Sequence, residues 1–272
     1  MPETRLLVDP KLRAELEGDG LLDLDALMAR DDLHVIKARL ESRQTYRLET
    51  STGRTLYLKL YRKVEPESRF SRLFAQRFDS PASREWHVLN RLHELGVPTM
   101  NPAACIEEVE GDKVRRAALL TVGLNAPVSL QKVLFEEFGE YPQAQRRHAL
   151  ARDLGRILKL MHDGGVNHRD FYMVHIRVGG DDKLYVTDLN RADIRKRVTR
   201  RWRVKDLAAL LHSAPHSIVT AIDKARFAKA YFGEHLRDKR SMIEAVIRKS
   251  ERMTAHTRKR VAEGEANYHV VE

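Results

Sequence analysis

The stretch Asn167-His168-Arg169-Asp170-Phe171-Tyr172-Met173-Val174-His175, followed by Val186-Thr187-Asp188-Leu189-Asn190, decides how this chain reads. It sets one aspartate in a His-Arg-Asp triplet and a second at the end of a short β-strand. The first can orient an attacking hydroxyl, and the second can hold a magnesium ion between nucleotide phosphates. Phosphoryl transfer asks little covalent chemistry of a protein. It needs an in-line nucleophile and dense positive charge around the moving group. A lone triplet recurs by chance, so the reading depends on what lies at a distance from it.

Upstream, Arg54-Thr55-Leu56-Tyr57-Leu58-Lys59-Leu60-Tyr61 alternates apolar and polar residues around a lysine, the pattern of a half-buried strand. A lysine on the third strand is where a protein kinase contacts the α- and β-phosphates. Residues 81–96 read as a helix, with Pro81 at the start and Gly96 at the end. Trp86, Leu89, Leu92 and Leu95 form its apolar face, and Glu85 is placed to point at Lys59 and hold it extended. Taken singly, Lys59 and Glu85 read as surface charges. In this order, ahead of the aspartate pair, they read as parts of one site.

The composition is that of a soluble protein, with 42% hydrophobic and 32% charged residues in a chain of 272. That length serves one large domain or two lobes sharing a cleft. The single cysteine, Cys105, excludes an intrachain disulfide and fits a reducing compartment. Met1-Pro2-Glu3-Thr4-Arg5 leads into no long apolar run, so no signal peptide is expected, and no stretch approaches the ~20 apolar residues that span a bilayer. A net charge of +10 favours an acidic partner: phosphates, an anionic membrane surface or an acidic protein.

Patterning predicts three parts. Residues 1–32 form a helical extension, with Leu6, Leu7, Leu12, Leu16 and Leu21-Leu22 set among charges. Residues 33–124 form a small lobe of five antiparallel strands with one main helix after the third. Residues 125–272 form a larger, mostly helical lobe. There Ser129 is placed to cap a helix over 130–138. Leu150, Leu154, Ile157, Leu158 and Met161 mark the buried stripe of a longer helix from about Gln143 to His162. A hairpin turns at Gly179-Gly180-Asp181-Asp182. The fold class is α+β, of the two-lobed protein-kinase type.

In these stretches the chain resembles the lipopolysaccharide kinase (Kdo/WaaP) family, bacterial cousins of the protein kinases. The resemblance covers about residues 33–212. It is most specific in Asn167 to His175, where a histidine stands five residues after the aspartate and protein kinases have asparagine. It continues through Asp188-Leu189-Asn190-Arg191-Ala192, through Arg200 to Leu207, and in Ser83-Arg84-Glu85-Trp86. The resemblance implies ATP with Mg²⁺ and an anionic glycolipid acceptor, a heptose or Kdo sugar of the lipopolysaccharide core. It also implies a cytoplasmic location, peripheral at the inner membrane, and makes acyl carrier protein a candidate partner. By the same resemblance Lys59 binds ATP phosphates, Glu85 pairs with it, Asp170 is the catalytic carboxylate and Asp188 holds magnesium. His175 takes the place of the second metal-side ligand, although an imidazole suits hard magnesium poorly, and hydrogen bonding to Asp170 or a phosphate is an equal reading. Backbone groups of Val122-Gly123-Leu124 are expected at the adenine. Arg169 is a candidate anchor for the acceptor, and Asp206 is expected to brace the catalytic loop.

Three departures narrow the reading. The first hairpin, Glu41-Ser42-Arg43-Gln44-Thr45-Tyr46, has no glycine, so phosphate contacts there fall to side chains such as Ser42 and Gln44. Asn190 stands where the glycine of Asp-Phe-Gly is usual. The segment from Asp188 to the arginine-rich helix near Thr199 is too short for a peptide-docking activation loop, which favours a small or glycolipid acceptor over a protein. Arg195-Lys196-Arg197 and Arg200-Arg201-Trp202-Arg203 read either as a solvated helix face or as a patch for anionic glycolipid phosphates. Nucleic acid is the weakest reading, since no recognised binding motif is present. Residues 69–78 read as a basic amphipathic helix, docked on the small lobe or lying on a membrane. His162, His168 and His175 recur every seven residues, but with no cysteine nearby they do not favour zinc. The rival functions are a kinase acting on protein or another small molecule, and a catalytically inactive kinase-like binding module. The joint presence of Lys59, Glu85, Asp170 and Asp188 argues against the inactive module.

Overall fold

The computed structural model describes residues 2–30, 34–40, 43–64, 76, 78–139 and 143–263. Ser42 and most of the amphipathic segment 69–78 lie outside the described residues. The chain divides into two compact units, Met1–Glu94 with Thr99–Leu124, and Leu95–Pro98 with Asn125–Glu272.

The first unit is built on one antiparallel sheet. Its elements are β1 (Glu3–Val8), α1 (Arg13–Gly18), α2 (Leu24–Ala29), β2 (His34–Leu40), β3 (Arg43–Glu49), β4 (Thr55–Tyr61), α3 (Pro81–Glu94), β5 (Pro102–Glu110) and β6 (Lys113–Val122). The sheet has six strands, not the expected five, in the order β1-β5-β6-β4-β3-β2. The extra strand comes from residues expected to be helical. Leu6 pairs with Ile106 and Leu7 with Cys105 across the β1–β5 ladder. This pairing joins residues about a hundred positions apart, and local leucine spacing carries no trace of it. The helical expectation holds further on, in two short helices whose Leu16, Leu24 and Leu27 are buried.

Strand alternation gives the sheet two apolar faces. On one, Leu56, Leu58 and Leu60 of β4 pack with Leu16, Leu27, Ile106 and Leu120. On the other, Tyr61 packs with Ala82, Cys105 and Leu119, with Trp86 against them. Lys59 shares the parity of Tyr61 and therefore projects from the face that α3 covers. The strand period thus brings Lys59 to the helix that carries Glu85.

The second unit is mainly helical. It contains β7 (Val128–Ser129), α4 (Leu130–Val133), α5 (Ala144–Asp163), β8 (Val166–Asn167), β9 (Ile176–Val178), β10 (Leu184–Val186), β11 (Asp193–Ile194), α6 (Arg200–Ser213), α7 (Ala221–Phe232) and α8 (Arg240–Ala262). Ser129 caps α4 as expected, its hydroxyl accepting from the Lys132 amide at 3.2 Å. The helix then widens into a π-turn over Leu134–Phe138. The predicted stripe of α5 is buried. β9 and β10 form the expected hairpin. β8 and β11 pair Asn167 with Asp193 and Val166 with Ile194, which ties the start of the loop that carries Asp170 to the segment after Asp188. Gly165 makes this pairing possible. Its φ is +85°, and a Cβ there would sit 2.2 Å from the carbonyl oxygen of Arg195. No helix among the described residues is long and apolar enough to cross a membrane.

Candidate active site

Each unit holds its own group of charged residues. In the first, Lys59 Nζ lies 2.6 Å from Glu85 Oε1, and the Glu85 side chain is fully buried. A buried carboxylate is tolerated only when a cation answers it, so this pair holds the Lys59 ammonium in place. Gln44, opposite Leu60 on the β3–β4 ladder, accepts the Tyr46 hydroxyl at 2.5 Å. At the end of β6, the amide of Val122 donates to Asn101 O and that of Gly123 to Thr55 O, each at 2.8 Å. Gly123 is pressed on Thr55, whose Cγ2 would be 3.0 Å from an added Cβ.

In the second unit the loop from β8 to His175 is hung on one carboxylate. Asp206 of α6, wholly buried, accepts the amides of His168 at 2.8 Å and Arg169 at 2.7 Å. His162 Nε2 approaches the same carboxylate at 3.2 Å, while its Nδ1 lies 2.6 Å from the Tyr231 hydroxyl. Both contacts are satisfied by one neutral tautomer, in which Nε2–H donates to Asp206 and Nδ1 accepts from tyrosine. Burial lowers the pKa of His162 and favours this neutral form. Burial likewise pushes the Tyr231 hydroxyl up to about 12, keeping it a donor. Arg203 continues the chain, donating to Tyr231 at 3.3 Å and to the His162 carbonyl at 3.2 Å. Asp206 thus holds the loop as expected, and α5, α6 and α7 all join in holding Asp206.

The loop carries Asp170 into contact with Arg191, whose Nη1 is 3.1 Å from Asp170 Oδ1. His175 Nδ1 lies 2.8 Å from the Asp170 carbonyl, so that nitrogen bears a proton and donates. Its Nε2 then faces Asp188 Oδ2 at 3.3 Å. An imidazole lone pair against a carboxylate needs a cation to relieve it, either a proton or a metal ion. Asp188 itself sits in the left-handed region, at φ 58°. Asn190 donates to its Oδ1 at 2.5 Å, so the residue in place of the usual glycine orients the carboxylate. Among the described residues no cluster of three or more His, Cys, Asp or Glu is arranged to hold a metal. Each of the three regularly spaced histidines has its own polar partner: His162 serves Asp206, His168 donates from Nε2 to Thr187 O at 3.0 Å, and His175 faces Asp188, while the rings of His168 and His175 stack at 6.0 Å.

The arginine-rich stretch is not one patch. Arg195 is nearly buried, bonded to Asn167 at 2.8 Å and paired with Asp193 at 2.8 Å. Arg203 pairs with Asp163 at 2.9 Å besides its bonds inside the fold. Arg197, Arg200 and Arg201 are exposed. Arg169, expected at the acceptor, pairs with Asp193 at 3.3 Å and lies over Trp202. Arg191, Asp193 and Lys205 were missed by sequence reasoning. No periodicity marks them: the fold sets Arg191 on Asp170, Asp193 on Arg169 and Arg195, and Lys205 on Trp202.

The Lipopolysaccharide kinase (Kdo/WaaP) family model matches residues 29–231, a span that includes Lys59, Glu85, Asp170, His175, Asp188 and Asp206. The chain belongs to this family. It is therefore a kinase, a phosphotransferase of the protein-kinase-like fold, and family membership implies ATP as the phosphoryl donor. Two lipopolysaccharide core heptose(I) kinases named WaaP are similar to it. The one from Escherichia coli strain K12 is 32% identical over 233 residues, which cover 81% of this chain and 88% of that protein. The one from Pseudomonas aeruginosa PAO1 is 35% identical over 227 residues, covering 79% and 84%. A solved structure of WaaP in complex with acyl carrier protein superposes with a TM-score of 0.70 at 33% identity, covering 91% of this chain and 98% of that one.

Proposed function

We propose that this member of the Kdo/WaaP family transfers the γ-phosphoryl group of ATP to a heptose hydroxyl of the lipopolysaccharide inner core. The observation that carries the reading is the loop braced by Asp206, which presents Asp170 at one end and, through His175, meets Asp188 at the other. In the proposed mechanism Asp170 accepts a hydrogen bond from the sugar hydroxyl and receives its proton as the phosphorus–oxygen bond forms. Arg191 must swing from Asp170 first. Its pair is half exposed and so worth no more than ~1 kcal/mol. Lys59, held by Glu85, neutralises the α- and β-phosphates. The amides of Val122 and Gly123 are spent inside the sheet, so the amide offered to adenine is that of Leu124. Gln44 and Ser42 contact phosphate by side chain. Asp188 and His175 hold Mg²⁺, which when bound supplies charge neutralisation to the triphosphate.

Two partners belong to the same proposal. The acceptor places the protein at the cytoplasmic face of the inner membrane. Acyl carrier protein is the second, supported by the relative solved with one. The helical unit also has a cavity of about 240 Å³ lined by Leu150, Leu154, Leu207, Leu210 and Phe227, a surface that suits the acyl chain of such a carrier. The test of the reaction is transfer of label from [γ-³²P]ATP to purified core glycolipid. Parent protein is expected to label the heptose. Asp170→Asn should keep the fold and lose ~10²–10⁴ in rate, because an amide cannot take the proton. An Asp170→Asn rate within a few-fold of the parent would remove Asp170 from the role.

A further inference from the structure

Trp202, in the first turn of α6, is ringed by cations. The charged groups of Arg195, Arg169, Arg201 and Lys205 lie 4.9, 5.2, 5.5 and 5.5 Å from its ring centroid. Each contact with the ring is favourable, at ~0.5–2 kcal/mol, but like charges this close repel one another. The nearby carboxylates answer only some of them. Asp193 takes Arg169 and Arg195, and Asp170 takes Arg191. Arg201 is exposed to solvent. Lys205 is half-buried, and among the described residues its ammonium has no hydrogen bond or ion pair. Burial and then the charge of Arg191 lower its pKa, while Asp170 acts in the opposite sense. Geometry sets it beside the Asp170–Arg191 pair: Lys205 precedes Asp206, which accepts the amide of Arg169 next to Asp170 at 2.7 Å, and it shares the Trp202 ring with the Arg169 side chain.

An apolar residue would cover the indole without this penalty, so packing alone gives no reason for a lysine here. An anion would give one. Of the four cations at the ring, Asp193 pairs with Arg169 and Arg195, and the surroundings of Trp202 hold more positive than negative charge.

We propose that Lys205, seated on the Trp202 ring, forms with Arg191 a binding site for a carboxylate or phosphate group already present on the acceptor, beside the hydroxyl that Asp170 receives. This rests on the kinase reading above and deepens it. An anion at Lys205 draws Arg191 away from Asp170 and frees the carboxylate for the hydroxyl. A neutral sugar leaves Arg191 where it is. The site thereby selects an acceptor that is anionic next to the point of transfer.

The test uses the full chain with Lys205→Gln and Lys205→Arg, both also made in a Trp86→Phe background so that Trp202 is the sole indole. The acceptors are core glycolipid, the same glycolipid dephosphorylated with hydrofluoric acid, and the glycolipid with its carboxylates reduced. Lys205→Gln should raise the acceptor KM on the order of 10-fold, with the KM for ATP and the thermal midpoint nearly unchanged, and Lys205→Arg should restore most of the loss. The parent should lose a similar factor with one of the two stripped glycolipids, which names the anion, and Lys205→Gln should be indifferent to that stripping. Trp202 emission should shift when glycolipid is added to the parent without ATP, and not in Lys205→Gln. Equal acceptor KM in parent and Lys205→Gln overturns the proposal. So does a fall in kcat alone, which would assign Lys205 to the moving phosphoryl group, and so does equal sensitivity of both proteins to stripping. If the parent transfers phosphate to no glycolipid, the kinase reading falls and the Trp202 signal decides: a response lost in Lys205→Gln supports the anion site, and an identical response in both refutes it.

Discussion

At the scale of single residues, Lys59 shows why a charge that looks ordinary in sequence is not. Its partner Glu85 has no solvent exposure, so removing the lysine strands a carboxylate in an apolar layer. Lys59→Ala is expected to destabilise the protein by ~3–5 kcal/mol. The double variant Lys59→Ala/Glu85→Gln should recover part of that loss. Urea unfolding of the three proteins measures it, and an unfolding midpoint in Lys59→Ala equal to that of the parent would contradict the assigned burial. Affinity for ATP is best compared between the double variant and Glu85→Gln alone, where loss of phosphate contact is separated from loss of fold. Lys59, Glu85, Asp170 and Asp188 can be singled out in the sequence because each sits in a stretch with its own periodicity or motif. The contacts of Arg191 with Asp170 and of Asn190 with Asp188 cannot. Those contacts depend on a left-handed turn at Asp188 that no residue pattern announces.

At the scale of elements, the loop that carries Asp170 is positioned less by its own residues than by α5, α6 and α7 behind it. His162 of α5, Tyr231 of α7 and Asp206 of α6 form one hydrogen-bonded line ending on the loop amides. This line is pH-sensitive, and its sign follows from the direction of the shift. Burial lowers the pKa of His162 below 6.5, so below that pH the unfolded chain binds more protons than the folded one. The contribution to stability is complete above pH 6.5 and falls as the pH drops through it. His212, lowered by burial and by His216, acts in the same sense. The urea midpoint should be flat from pH 8 to 7 and decline towards pH 5.5, with a shallower decline in His162→Gln. Equal slopes in the two proteins would take His162 out of the line. The elements themselves were mostly legible. The alternation of β4, the stripe of α5 and the cap at Ser129 each have a local cause. β1 was not, because its partner strand is remote. The arginines of 195–203 were legible as charge but not as role, since Arg195 and Arg203 turn inward only once Asp193, Asn167 and Asp163 are in place.

At the scale of the molecule, a sheet unit supplies a buried-paired lysine, and a helical unit supplies Asp170 on a braced loop and Asp188, which meets that loop through His175. The proposed reaction needs both on one nucleotide. The helical unit also carries the apolar cavity, and a filled cavity should stabilise the fold by linkage. An acyl carrier protein loaded with a long acyl chain should raise the thermal midpoint, and the carrier without its acyl chain should raise it less. No difference between the two would leave the cavity without the assigned ligand. The central claim is transfer to a core sugar, and mass spectrometry of lipopolysaccharide from a strain lacking this protein tests it most directly, with the strain complemented by either parent or Asp170→Asn. The account predicts that the core loses the mass of one phosphate on a heptose, that the parent restores it and that Asp170→Asn does not. An unchanged core in the deletion strain, or restoration by Asp170→Asn, would contradict it.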